Sequence, residues 1–177
     1  MINFYGSLDV LKLAYFGLIH PYLSYDLILW GSCYKNMFQR VFRSQKNAVR
    51  ILLKLNPRES CKDAFRSLGL LTFPCLFILE VILYCRLKCE LERGRDVHQY
   101  GTRGRDNFRL DQHRTMAYGR LPSQVDVRLI NRLSEGIKNL NDPNQFKARL
   151  KHFLVSKAFY SVDEFIMGRW YENIRNM

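Results

Sequence analysis

The chain has 177 residues, 47% of them hydrophobic and 14% aromatic, with a formal net charge of +12. That length suits one ordinary domain with or without an appendage, and the composition excludes a disordered polyelectrolyte. The positive excess points to nucleic acid first and an anionic membrane surface second.

Residues 1–12 carry neither a basic leader nor an apolar run with a cleavage site, and the five cysteines make an odd count. A reduced, intracellular setting is the expectation. Residues 8–19 predict a helix with Leu8, Leu11, Tyr15 and Leu18 on one face. His20-Pro21 interrupts it, because proline lacks a donor and pushes the preceding residue out of the α region. Pro21 then opens a second helix through Tyr22, Tyr25, Leu29 and Trp30, which Gly31-Ser32 ends.

The stretch from Tyr34 to Leu55 splits into two faces when wound at about 100° per residue. Phe38, Val41, Phe42, Val49, Leu52 and Leu53 fall on one side. Arg40, Arg43, Lys46, Asn47, Arg50 and Lys54 fall on the other, and the stretch has no Asp or Glu. Charge of one sign on a rigid rod suits a polyanion, so these six residues are the candidate nucleic-acid-binding strip. The plainer alternative is a solvated surface.

Asn56-Pro57 is the next stop. Ser60 with Asp63 resembles a capping box for a short helix over about residues 61–67, closed by Gly69. Thr72 or Phe73 caps a long helix from Pro74, apolar nearly all round as far as Cys85, which is expected at the centre of the core. The apolar run from Leu68 to Leu87 is broken by Thr72, Pro74 and Glu80, so it reads as a buried helix and not a membrane span.

From Gly94 to Gln124 polar residues dominate, as in a linker or extended arm. Arg93, Arg95, Arg103, Arg105, Arg109, Arg114 and Arg120 interleave there with Tyr100, Phe108 and Tyr118. Arg103, Arg105 and Arg109 form a secondary candidate site for single strands, although an ordinary surface loop is the preferred reading. Val125 to Ile130 alternates apolar and polar residues, which predicts a short strand or extended strip. Asp142-Pro143 with Gln145 starts a helix that buries Phe146, Leu150, Phe153 and Leu154 and shows Lys147, Arg149, Lys151 and Lys157. Ser161 with Glu164 caps a last helix through Phe165, Ile166 and Trp170.

Two-metal chemistry needs converging carboxylates. Glu90, Glu92, Asp163 and Glu164 read better as solvated or capping groups. Cys85, Cys89, His98 and His113 lack the tight second pair of a structural zinc site, so no metal is expected. The run 101–107, GTRGRDN, lacks the strand–loop–helix setting that cradles nucleotides.

Taken in order, YFGLIHPYLSYDLILWG, FRSQKNAVRILLKLNPRESC, FRSLGLLTFPCLFILEVILY, RLPSQVDVRLINRL and FKARLKHFLVSKAFYSVDEF resemble the C-terminal part of the reverse transcriptase of jockey-like non-LTR retrotransposons. The resemblance runs from about Val10 to Trp170. It implies a thumb over residues 10–92 and a C-terminal extension over 93–177. It also implies that the RNA-directed DNA polymerase chemistry, with its Mg ions, belongs to a palm with an Asp-Asp turn. This chain has no Asp-Asp pair. The chain departs from the family at Asp26 and Asp126, where Gly is common, and at Leu133-Ser134, where Leu-Pro is common.

The expected fold is therefore mainly α. A helical bundle covers 1–92, a basic polar arm 93–124, and an extension with at most one short strand and two helices 125–177. The expected activity is non-catalytic binding of RNA–DNA or DNA duplex. No cofactor, small molecule or membrane partner is expected. By resemblance, the palm and fingers of the parent polymerase are partners, in a nuclear or cytoplasmic ribonucleoprotein. The alternative is an inert remnant or protein-interaction module that self-associates through an apolar edge around Tyr15, Phe16 and Tyr22.

Overall fold

The structure is a computed structural model, described for residues 8–31, 35–88, 93–94, 107–109 and 122–168. It is mainly helical, as the sequence predicts. Helix α1 (Leu8–Leu18) buries only Leu11 and Tyr15. Leu8 and Leu18, expected on the same buried face, are exposed. The reason is that α1 lies at the rim, against α2 (His20–Ser24), and reaches the centre through Tyr15 alone.

The expected second helix is two. Asp26 takes φ 46°, in the left-handed region, and separates α2 from α3 (Leu27–Trp30). A short acidic side chain tolerates that conformation, but only glycine adopts it without strain. Gly31 follows where the chain runs close against Phe77; a Cβ there would strike the Leu27 carbonyl oxygen and the Phe77 ring. Trp30 stacks on Phe73 at 5.5 Å and donates its indole N–H to the Tyr25 carbonyl at 2.7 Å.

Helix α4 spans Lys35–Leu53. It ends two residues before the expected Leu55, because Lys54 turns left-handed with φ 54°. The Leu55 N–H then bonds back to the Arg50 carbonyl at 3.0 Å, a Schellman-type closure with lysine where glycine is usual. Helix α5 (Lys62–Leu68) is closed by Gly69 at φ 67°.

Helix α6 (Phe73–Lys88) is the axis of the fold. From Phe73 to Ile82 every residue except Glu80 is buried. Thr72 caps it: its hydroxyl accepts from the Cys75 N–H at 3.3 Å and donates to the Phe159 carbonyl at 2.6 Å. Burial pushes the Cys75 thiol up to about 11, so it stays a neutral packing group.

The strand expected at Val125–Ile130 is instead the body of α7 (Pro122–Asn131). Val127, Leu129, Ile130 and the following Leu133 are all buried, and α7 packs along α6. In so short a window, alternation and helical spacing fit the same residues, and the groove beside α6 selects the helix. Among the described residues, the backbone pairing lies elsewhere: Arg93 bridges antiparallel to Phe108. Asn131 holds Phe108 by accepting from its N–H and donating to its carbonyl, each at 2.9 Å.

Helix α8 (Glu135–Lys138) leads to α9 (Pro143–Lys157), whose start is capped by Asp142 through the Asn144 N–H at 3.0 Å. Ser161 caps α10 (Val162–Met167) through the Glu164 N–H at 2.9 Å. The expected Trp170 lies outside the described residues. Helices α7, α9 and α10 pack on α6, so one hydrophobic core joins residues before and after the polar arm. Arg66 reinforces the join by donating to the Ser156 and Lys157 carbonyls at the C-terminal end of α9, where the helix dipole favours a cation. Among the described residues, no single helix is long and apolar enough to cross a membrane.

Candidate nucleic-acid interface

Helix α4 lies on the bundle with Phe42 and Val49 buried and Phe38, Val41, Leu52 and Leu53 packed against the core. The apolar face follows the expected spacing. One residue on it is polar: Gln45, 1% exposed. Its Nε2 donates to the Tyr15 hydroxyl at 2.7 Å and to the Leu71 carbonyl at 2.9 Å. Its Oε1 accepts from the Phe73 N–H at 2.7 Å. Gln45 therefore ties α1, α4 and the start of α6 together. It sits between Phe42 and Val49 at helical spacing, a signal the sequence carried but the two-face reading passed over.

The cationic face is less uniform than the helical wheel implies. Arg40 and Arg43 are exposed. The Arg40 guanidinium reaches the Met37 sulfur, at 4.0 Å. Lys46 is half-buried, with its ammonium 4.8 Å from the Phe42 ring and 5.4 Å from the Tyr160 ring. The Tyr160 ring is shared with Lys62, 5.3 Å away, and Lys62 pairs with Glu164 at 3.1 Å. Arg50 is also half-buried: it donates to the Glu59 carbonyl at 3.2 Å and the Asn47 Oδ1 at 3.4 Å. These two residues stand where α4 meets the loop after it and the loop after α9, so their side chains have protein partners. Asn47 is exposed, and Lys54 stands on the turn past the helix end. Among the described residues, Arg40, Arg43, Lys46 and Arg50 have no carboxylate partner.

Of the secondary site, Arg109 is exposed beside the Arg93–Phe108 bridge. Arg103 and Arg105 lie outside the described residues. The Arg93 guanidinium covers the Phe108 ring at 5.0 Å, so that ring packs against the protein's own cation. Helix α9 offers a further basic surface, with Lys147, Arg149 and Lys151 exposed. Of the candidate metal ligands, Cys85 is buried, while Cys89, His98 and His113 lie outside the described residues. Among the described residues, no group of three or more His, Cys, Asp or Glu converges.

The apolar edge expected around Tyr15, Phe16 and Tyr22 is different in composition. Tyr15 is buried on Gln45. The exposed large apolar residues are Leu8, Val10, Leu13, Phe16, Leu18, Tyr22, Tyr25 and Leu29, spread over α1 to α3.

The chain matches no family model, and searches of curated proteins and of solved structures return no match either.

Proposed function

We propose that this chain is a non-catalytic nucleic-acid-gripping unit that holds a primer–template duplex by its phosphate backbone. In this reading it corresponds to the thumb and C-terminal extension of a jockey-like retrotransposon reverse transcriptase. One observation carries the grip: α4 presents Arg40 and Arg43 to solvent on a rigid helix, with no carboxylate partner among the described residues. Lys46 and Arg50 extend the positive field along the same rod without being free to reach far. Guanidinium groups so placed suit bidentate contact with phosphate. The family resemblance supports the same reading, since a thumb grips duplex through the backbone.

Anisotropy titration of a labelled RNA–DNA or DNA duplex tests this. The expected result is binding at about 50 mM salt that weakens steadily as salt rises. Absence of binding at low salt ends the reading.

A second reading rests on the exposed apolar face of α1–α3. Exposed apolar side chains on three neighbouring helices suit a protein contact. In the retrotransposon reading the contact is with the palm or fingers of the parent polymerase; in the alternative it is with a second copy. Sedimentation velocity over a range of concentrations separates them, since self-association would shift the boundary without nucleic acid.

A further inference from the structure

The end of α4 forms a groove of about 490 Å³, lined by Asn47, Arg50, Ile51, Lys54, Leu55 and Pro57. Its origin is the left-handed turn at Lys54, which brings Leu55 and Pro57 back beside the last helical turn. Ile51 is 77% exposed there, an apolar side chain amid cations. The lining has two cations, one amide, three apolar side chains and no carboxylate. Arg50 donates to the Asn47 Oδ1, which fixes the amide and leaves Nδ2 as its donor without a partner among the described residues.

We propose, building on the backbone-grip reading, that this groove seats one unpaired nucleotide at a duplex end. The volume falls in the range of small-molecule sites, roughly 300–1,000 Å³. An apolar floor with cations beside it fits a flat base carrying a phosphate. A base inside the stack hides both faces, whereas an unpaired base at the duplex end is free to turn a face onto Ile51 and Pro57. Ile51 is eight residues beyond Arg43, about 12 Å along the helix, so a duplex held at Arg40 and Arg43 can place its first overhanging nucleotide there. The Asn47 amide then donates to an acceptor on the base edge.

The test compares a blunt-ended DNA hairpin with the same hairpin carrying a three-nucleotide overhang, using the full chain. The overhang is expected to bind about tenfold tighter, within the range of stacking on one base. Ile51→Ser, at an exposed position, should erase that preference and leave blunt-hairpin affinity unchanged, which also shows that the variant is folded. Equal binding of both hairpins by the unaltered protein overturns the proposal, as does a preference that survives I51S. Ile51-dependent binding of a glutamate- and tyrosine-containing peptide, without overhang preference, assigns the groove to a protein partner and overturns it too. Binding of the overhang alone, lost in I51S, upholds the groove and rejects the backbone grip; binding of neither hairpin rejects both.

Discussion

Replacing Arg40 and Arg43 together by Gln removes two exposed cations of α4 while keeping a polar side chain of good helix propensity. Neither residue belongs to the core: both are exposed, and the Arg40 guanidinium lies against Met37 on the helix surface. The thermal midpoint should therefore stay within about 2 °C. Binding should respond instead. Each phosphate neutralised contributes about 0.9 to the slope of log K against log salt on duplex. Losing two contacts flattens that slope by about 1.8. Between 50 and 200 mM salt, the gap between the unaltered protein and the variant should then shrink by about tenfold. Anisotropy at four or five salt concentrations measures both slopes. Lys46→Gln should change the slope less, because that ammonium is held over the Phe42 and Tyr160 rings. Parallel lines for the unaltered protein and R40Q/R43Q would refute the reasoning, whatever the absolute affinity.

Gln45→Ala strands the Tyr15 hydroxyl, the Leu71 carbonyl and the Phe73 N–H in the buried core; we expect a loss of about 3–5 kcal/mol by chemical denaturation, and a loss under about 1 kcal/mol would mean water replaces the amide. Asp26→Gly relieves a left-handed residue and should stabilise by up to about 1 kcal/mol, read as a higher denaturation midpoint. Gly31→Ala should do the opposite, because the Leu27 carbonyl and Phe77 ring occupy the space a Cβ needs; a loss of about 2 kcal/mol or more is expected. Burial first, and then the charge of Lys151, hold the His20 imidazole below its ordinary value near 6.5. The unfolded chain then binds more protons than the folded one in that window, so stability is full above about pH 6.5 and falls on acidification. His20→Gln should flatten the melting temperature between about pH 7 and 5.5, and an unchanged pH profile would reject the assignment.

Local chemistry made much of this protein legible in its sequence. The caps at Asp142 and Ser161, the closing Gly69 and the apolar run of α6 each act within a few residues, and each is found where the sequence put it. The two faces of α4 follow for the same reason, since helical periodicity decides which side can be buried. Partners far along the chain decided the rest. Tyr160 and Glu59 determine that Lys46 and Arg50 lie half-buried and engaged. Tyr15, Leu71 and Phe73 make a buried Gln45 satisfied, which no window around residue 45 contains. Residues 125–130 satisfy strand and helix periods alike, and only the surface of α6 chooses between them. Periodicity thus determined the two faces of α4 and the buried run of α6, but neither the buried face of α1 nor the helix over residues 125–130. The tertiary structure decided which cations stay free to meet a ligand, because a side chain's partners are set by whatever the rest of the chain brings alongside it.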